Sequence, residues 1–173
     1  IVADHATNTV DVTLHIESGR HAMVGPVTVT GTTDMDPAFV AYASGLTPGK
    51  EYDPDDIALA NKRLTRLEVF RSARIADQGD IGPGGQLPFQ IIVQEKPGHR
   101  FGVGGTYSTL DGLGAEGYWL ARNLFGHAER FRIDAKIANI GWPVDTAKFN
   151  YELGATFTRP ALINPDTDLV ANA

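Results

Sequence analysis

The 173-residue sequence contains no cysteine. Thiol nucleophiles, zinc–thiolate sites and disulfides are therefore excluded, and the composition suits a compartment where free thiols are unwelcome. It has no run of about 18 or more apolar residues, so it encodes no transmembrane helix. Membrane-spanning strands would escape that test, because each gives only a weak signal. It has no long basic run, and its formal net charge is −6. Nucleic acid is thus not an expected partner, since counterion release needs clustered cations. A catalytic constellation is also missing. The five histidines, His5, His15, His21, His99 and His127, show no metal-ligand spacing. The serines have no nucleophile-elbow context. The "GVGG" at 102–105 has no following helix to hold a phosphate. No cofactor and no enzymatic activity are expected.

What the sequence does have is 42% hydrophobic residues in ordered patterns, enough for a packed fold. Residues 10–17 alternate, with Val10, Val12, Leu14 and Ile16 on one face, and predict a strand. "VTVTG", Val27 to Gly31, predicts a second. Two helices follow. Asp36 is placed to cap the first, with Pro37 at its first position and Gly45 at its end. Asp53 caps the second, Pro54 follows, and Asp55 and Asp56 complement the positive end of its dipole. This cluster of three aspartates lacks the glycine and closing glutamate of a calcium loop, so capping is the better reading. Ile57, Ala60, Leu64 and Leu67 form the apolar stripe of the second helix, with Lys62, Arg63 and Arg66 on its other surface. "RSARIADQGD" predicts a polar strand, and Leu87 to Glu95 one rich in β-formers. Pro88 lies near its start, where a missing donor is tolerated. Residues 20–97 therefore read as an α+β unit in the order β-α-α-β-β, with two helices on one face of a three-stranded sheet.

After residue 98 the helices stop. About four strands near ten residues long succeed one another. In the first, Phe101, Val103 and Tyr107 face away from Gly102, Gly104, Thr106 and Ser108. In "ERFRIDAKI", Phe131, Ile133, Ala135 and Ile137 face away from Arg130, Arg132, Asp134 and Lys136. In "AKFNYELGATFT", Phe149, Tyr151, Leu153, Ala155 and Phe157 oppose Lys148, Asn150, Glu152, Gly154, Thr156 and Thr158. Such ribbons suit a soluble sheet with charges in water. They equally suit a tilted bilayer span with charges in a wet lumen. Tyr118, Trp119 and Trp142 could belong to interfacial aromatic girdles or to ordinary packing. The beginning "IVADHATNTV" is no signal sequence, and "DTDLVANA" reads like the start of a further strand. Both ends are expected to be cut from a longer chain.

The order of these features resembles the BamA/TamA superfamily of outer-membrane assembly factors. The matching segments are "VTVTG", "GLTPGKEYDPDDIALANKRL", "VFRSARI" and "GVGGTYSTLDGLGAEGYWLARNLFGH", the last most like the TamA branch. One position departs: the family's glycine after the second helix is here Glu68, so either the turn differs or Glu68 is strained. The resemblance implies a POTRA domain at 20–97, the last strand of a preceding POTRA domain at 1–19, and the antiparallel N-terminal strands of an incomplete transmembrane β-barrel at 98–173. It places the chain at the bacterial outer membrane with the POTRA domain in the periplasm. It implies assembly of unfolded outer-membrane protein clients such as autotransporters by strand pairing, contact with outer-membrane lipid, and an inner-membrane or periplasmic partner on the POTRA side. On this reading Phe131, Ile133, Ile137, Phe149, Tyr151, Leu153 and Phe157 meet lipid. The client seam is the edge of Phe101, Gly102, Val103, Gly104, Gly105, Thr106, Tyr107, Ser108 and Thr109. Arg71, Ser72, Ala73, Arg74 and Ile75 offer a secondary docking edge. The alternative is a soluble periplasmic binding or scaffolding protein whose later strands form a β-sandwich.

Overall fold

The computed structural model describes residues 2–4, 9–11, 15, 21–109, 112–140 and 149–173. Two Asp-Pro steps start its two helices. In α1, Pro37–Ser44, Asp36 Oδ1 accepts the Ala38 N–H at 2.9 Å, and Gly45 ends the helix at φ 75°. In α2, Pro54–Arg66, Asp53 Oδ1 accepts the Asp55 N–H at 2.9 Å. Each cap satisfies a donor that the first turn leaves unpaired, and each proline sits where no N–H is needed. Asp55 and Asp56 in the first turn of α2 and Arg63 and Arg66 in the last complement its dipole.

The helices bury their apolar stripes on a three-stranded sheet: Met23–Thr30, Phe70–Asp77 and Gln86–Glu95. Counting a short antiparallel pair, β1 (Val2–Asp4) and β2 (Thr9–Asp11), these are β3, β4 and β5. The order is β3-β5-β4, with β3 parallel and β4 antiparallel to β5. Val40, Leu64, Leu67, Val69, Ile91 and Val93 are among the core residues, and Ile57 is half-buried. β3 begins four residues before the expected Val27, because Gly25 and Pro26 interrupt its alternation. The register slips between Val24 and Val27 there, opposite Pro88. A Cβ on Gly25 would lie 2.8 Å from the Leu87 carbonyl. The bulge thus accommodates a proline in a central strand. Of the strand expected over 10–17, Thr9–Asp11 is extended and His15 is exposed and outside any strand. The face formed by Val12, Leu14 and Ile16 lies outside the described residues, as do His5, Trp142 and Lys148.

From His99 the chain runs as a meander: β6 His99–Ser108, β7 Gly112–Arg122, β8 Arg130–Ile140, β9 Asn150–Arg159 and β10 Leu169–Asn172. Each strand pairs antiparallel with the next, in the order β10-β9-β8-β7-β6, and the sheet is open. Ten to eleven residues in each of β6 to β9 give a length of roughly 33 Å at about 3.3 Å per residue.

The two parts meet at one end of the meander. The β7–β8 turn puts Ala128, and the segment before β10 puts Ala161, into the core under α1 and α2. Both alanines are left-handed, with φ of 60° and 51°. Asp36 N–H donates to the Gly126 carbonyl at 3.0 Å. Arg63 is ion-paired with Asp166, and Arg66 donates to the Pro165 carbonyl at 2.5 Å.

Candidate functional site

Register assigns the two faces of the meander. Ile133 stands opposite Trp119 and Ala155, and Ile137 opposite Ala115 and Tyr151. Phe131 is level with Ala121 and Phe157, and Ala135 with Leu153. Phe101 faces Trp119 across β6–β7. This face is apolar and wide open: Val103 is 94% exposed, Tyr107 77% and Leu153 76%. Burying no such side chain, a sheet in water would forgo roughly 25 cal/mol for each Å² of apolar surface left wet. Among the described residues no second sheet covers it. Phe149 precedes β9, its ring 6.2 Å from that of Tyr151.

The opposite face carries the charge. Gly102 pairs with Tyr118 and Tyr118 with Asp134; Gly104 pairs with Glu116, Glu116 with Lys136, and Lys136 with Glu152. A groove of about 540 Å³ lies among them. Arg132 donates to Asp134 through Nε and Nη2 at 2.7 and 2.5 Å, and its guanidinium lies 4.2 Å from the centre of the Tyr118 ring. Tyr118 therefore packs on the polar face and has no place in an outward girdle. Trp119, its neighbour, points to the apolar face and stacks on His99 at 5.7 Å.

The expected seam residues form one edge. β6 carries Phe101, Gly102, Val103, Gly104, Gly105, Thr106, Tyr107 and Ser108, with Thr109 just beyond the strand. Its one described neighbour is β7. Its other side offers backbone donors and acceptors to an incoming strand. The second expected segment also lies at an edge: among the described residues β4 pairs only with β5. Arg71, Ser72 and Arg74 are exposed there, while Ala73 and Ile75 are partly buried against the core.

Other residues emerge only from the structure. Glu68 does end α2 in the left-handed region, at φ 59°, and its carboxylate is ion-paired with Arg130 at the start of β8. Lys96 Nζ donates to its carbonyl at 3.0 Å. Glu129 looks from the sequence like one more residue of an alternating strand. It lies just before β8, is 1% exposed, and accepts the N–H groups of Phe125 and His127 at 3.2 Å each. Arg63 hydrogen-bonds Asp166 from 103 positions away. That contact holds the Asp166 carboxyl below its usual range and raises the Arg63 guanidinium, with the attraction of the two charges adding to both shifts. The pairing of two arginines one turn apart on α2 with "NPDTD" is the only trace of this clamp in the sequence.

No family model matches the chain. Among curated proteins it is similar to the outer membrane protein assembly factor BamA of Neorickettsia risticii (strain Illinois), 23% identical over 136 residues. That match takes in 79% of this chain but 18% of the relative, so the chain spans less than a fifth of that protein's length. Among solved structures it shares its fold with BamA from Haemophilus ducreyi lacking POTRA domains 1–3, at a TM-score of 0.76 and 14% identity. The superposition covers 99% of this chain and 30% of that one. The first is a similarity in sequence to part of an outer-membrane assembly factor; the second shows a shared fold.

Proposed function

We propose that the chain is the junction between a periplasmic POTRA domain, residues 20–97, and the first strands of an outer-membrane β-barrel, residues 98–173, in a factor that assembles other barrel proteins. Residues 1–19 belong to a preceding POTRA domain. The reading rests on one observation: a helix-capped α+β unit runs through three residues, Lys96 to Gly98, into an open meander with one charged face and one exposed apolar face. Strands of this length, tilted by about 45°, span an apolar band about 25 Å tall. Lipid then covers Phe131, Ile133, Ile137, Phe149, Tyr151, Leu153 and Phe157, and water fills the Arg132–Lys136 side. A sheet edge cannot face hydrocarbon, so strands outside this chain must close the barrel.

Function follows from the edge. β6 is the seam, where the closing strand can give way to a client strand that pairs through its main chain. Because backbone bonds carry the contact, clients of different sequence are accepted, autotransporters among them. No enzymatic step and no cofactor is required. The β4 edge, Arg71 to Ile75, is a secondary dock on the periplasmic side, and the POTRA surface is where a periplasmic or inner-membrane partner binds.

The test is a seam lock. Paired cysteines join β6 to the closing strand in the full-length protein. Client assembly falls while the barrel stays folded, and reduction restores it. A locked protein that assembles clients at the normal rate rules out seam opening and leaves the β4 edge as the better candidate.

A further inference from the structure

The three-stranded sheet has two outer strands, β3 and β4, and they are finished differently. The first part of β3 is covered by its own chain. The Lys50 carbonyl accepts the Val24 N–H at 2.7 Å, the Val24 carbonyl accepts the Gly49 N–H at 2.7 Å, and the Ala22 carbonyl accepts the Tyr52 N–H at 3.0 Å. Glu51 forms an antiparallel bridge to Met23. The segment 49–52 thus fills the place that an added strand would take. Beyond it Pro26 has no N–H to offer, and the bulge at Gly25 and Pro26 breaks the ladder. What is left of this edge is Val27 to Thr30, before Gly31 at φ 89°. Covering segments, prolines and bulges all keep a sheet edge from pairing.

β4 has no covering segment among the described residues and no proline. Its one irregularity lies at its start, between Phe70 and Ser72. What it does carry is unpaired positive charge. Arg71 and Arg74 are exposed, and among the described residues neither makes an ion pair or a side-chain hydrogen bond. Arg63, Arg66, Arg130 and Arg132, by contrast, each face a carboxylate. The acids near the start of β4 are engaged elsewhere. Glu68 pairs with Arg130, and Glu95, opposite Phe70, accepts the N–H groups of Thr33, Asp34 and Met35. Across the sheet, Arg74 stands opposite Ile92, and Ser72 opposite Gln94. The one carboxylate on β4 itself is Asp77, at the far end of the strand.

We infer that the β4 edge selects acidic polypeptide: it takes an extended segment whose carboxylates lie beside Arg71 and Arg74, while β3 takes none. This rests on reading β4 as a docking edge, and it names the chemistry of what docks. Main-chain bonds supply the part of the affinity common to all segments, and the two guanidinium groups supply the discrimination. Arg71 and Arg74 are three residues apart, about 10 Å along a strand. Carboxylates with the same spacing meet both. Opposite charges on neighbouring strands attract, and a basic segment meets like charge and is disfavoured.

The test uses the full-length protein in lipid nanodiscs, in a background without other cysteines. The probes are eight-residue peptides of alternating threonine and valine, with glutamate, glutamine or lysine at the third and sixth positions. Each carries a fluorophore at one end and a cysteine at the other. Anisotropy reads binding, and disulfide capture on Ser72→Cys or Thr28→Cys reads the place. The glutamate peptide binds about fivefold more tightly than the glutamine peptide, as two exposed ion pairs allow, and the lysine peptide binds weakest. Added salt shrinks the difference. Arg71→Glu combined with Arg74→Glu reverses the order, and neither side chain has a partner whose loss would unfold the unit. Ser72→Cys captures the glutamate peptide and Thr28→Cys does not. An order of binding that survives the double charge reversal, or capture at Thr28→Cys, overturns the inference. Capture of all three peptides alike at Ser72→Cys leaves β4 as a dock and removes the selection. Binding of none removes the docking reading as well.

Discussion

Glu68 allows backbone strain to be separated from charge. It follows Leu67 at the end of α2 with φ 59°, where the Cβ of an L residue crowds its own carbonyl at a cost of about 1–2 kcal/mol. The carboxylate is 65% exposed and paired with Arg130, a contact that offsets at most about 1 kcal/mol once solvent screening is allowed for. The ion pair therefore offsets part of the strain, and the rest remains as the cost of a glutamate in a position that suits glycine. Glu68→Ala removes the ion pair and keeps the strain. Glu68→Gly removes the ion pair and releases the strain. After the extra freedom of glycine in the unfolded chain is counted, glycine is the better residue by roughly 1 kcal/mol. That is about fivefold in the population of opened molecules. The assay is amide exchange at Ala60 and Leu64 of α2, whose side chains are fully buried and whose exchange reports opening of the whole unit. Exchange in the glycine variant should be about fivefold slower than in the alanine variant. Equal rates, or a slower alanine variant, would refute the claim that this residue is held in a strained conformation.

On the meander, Ile133→Arg puts a guanidinium on the apolar face and should cost roughly 2–4 kcal/mol near mid-bilayer. Asp134→Arg, on the charged face, should insert nearly as the parent does. The heat-modifiable folded fraction in outer membranes compares them, and equal tolerance would mean that the faces or the solvent are misassigned. At the junction, Arg63 depresses the Asp166 carboxyl. The contribution of that contact is therefore complete above the ordinary carboxylate pKa and is lost as pH falls through the lower folded value. Spin labels at Leu59 and Ile163 should report a narrow distance at neutral pH that broadens in strong acid. Asp166→Asn should be broad already at neutral pH, and a narrow distribution in that variant would show that the ion pair does not hold the turn.

Local chemistry was the legible part of the fold. Asp36-Pro37 and Asp53-Pro54 cap helices through contacts within two residues, so their sequence alone sufficed. The two-residue period from Phe131 to Ile137 gave β8 and its faces, because the pleat alternates whatever the neighbours are. Where the chain departs from a period, the reading stopped early: the Gly25-Pro26 bulge hid the first four residues of β3. Tyr118 shows a signal that was present and not used. It is adjacent to Trp119 in a strand, so the two must point to opposite faces, and only one could join an outward girdle. The buried role of Glu129 was masked by the alternation that continues through it. The clamp of Arg63 on Asp166 was out of reach, since nothing local ties residues so far apart. The edges themselves depend on strand order, which emerges only once the strands have paired.

The most direct test of the account is capture of a client in transit. Single cysteines are placed along β6, from Phe101 to Ser108, and along β4, from Arg71 to Ile75, in the full-length protein. A client with a single cysteine in its terminal strand is stalled during assembly, and disulfides are allowed to form. The account predicts adducts along β6 in one register, each client position joining one β6 position, with weaker capture on β4. Capture on β4 alone, or adducts on β6 with no preferred register, would contradict it.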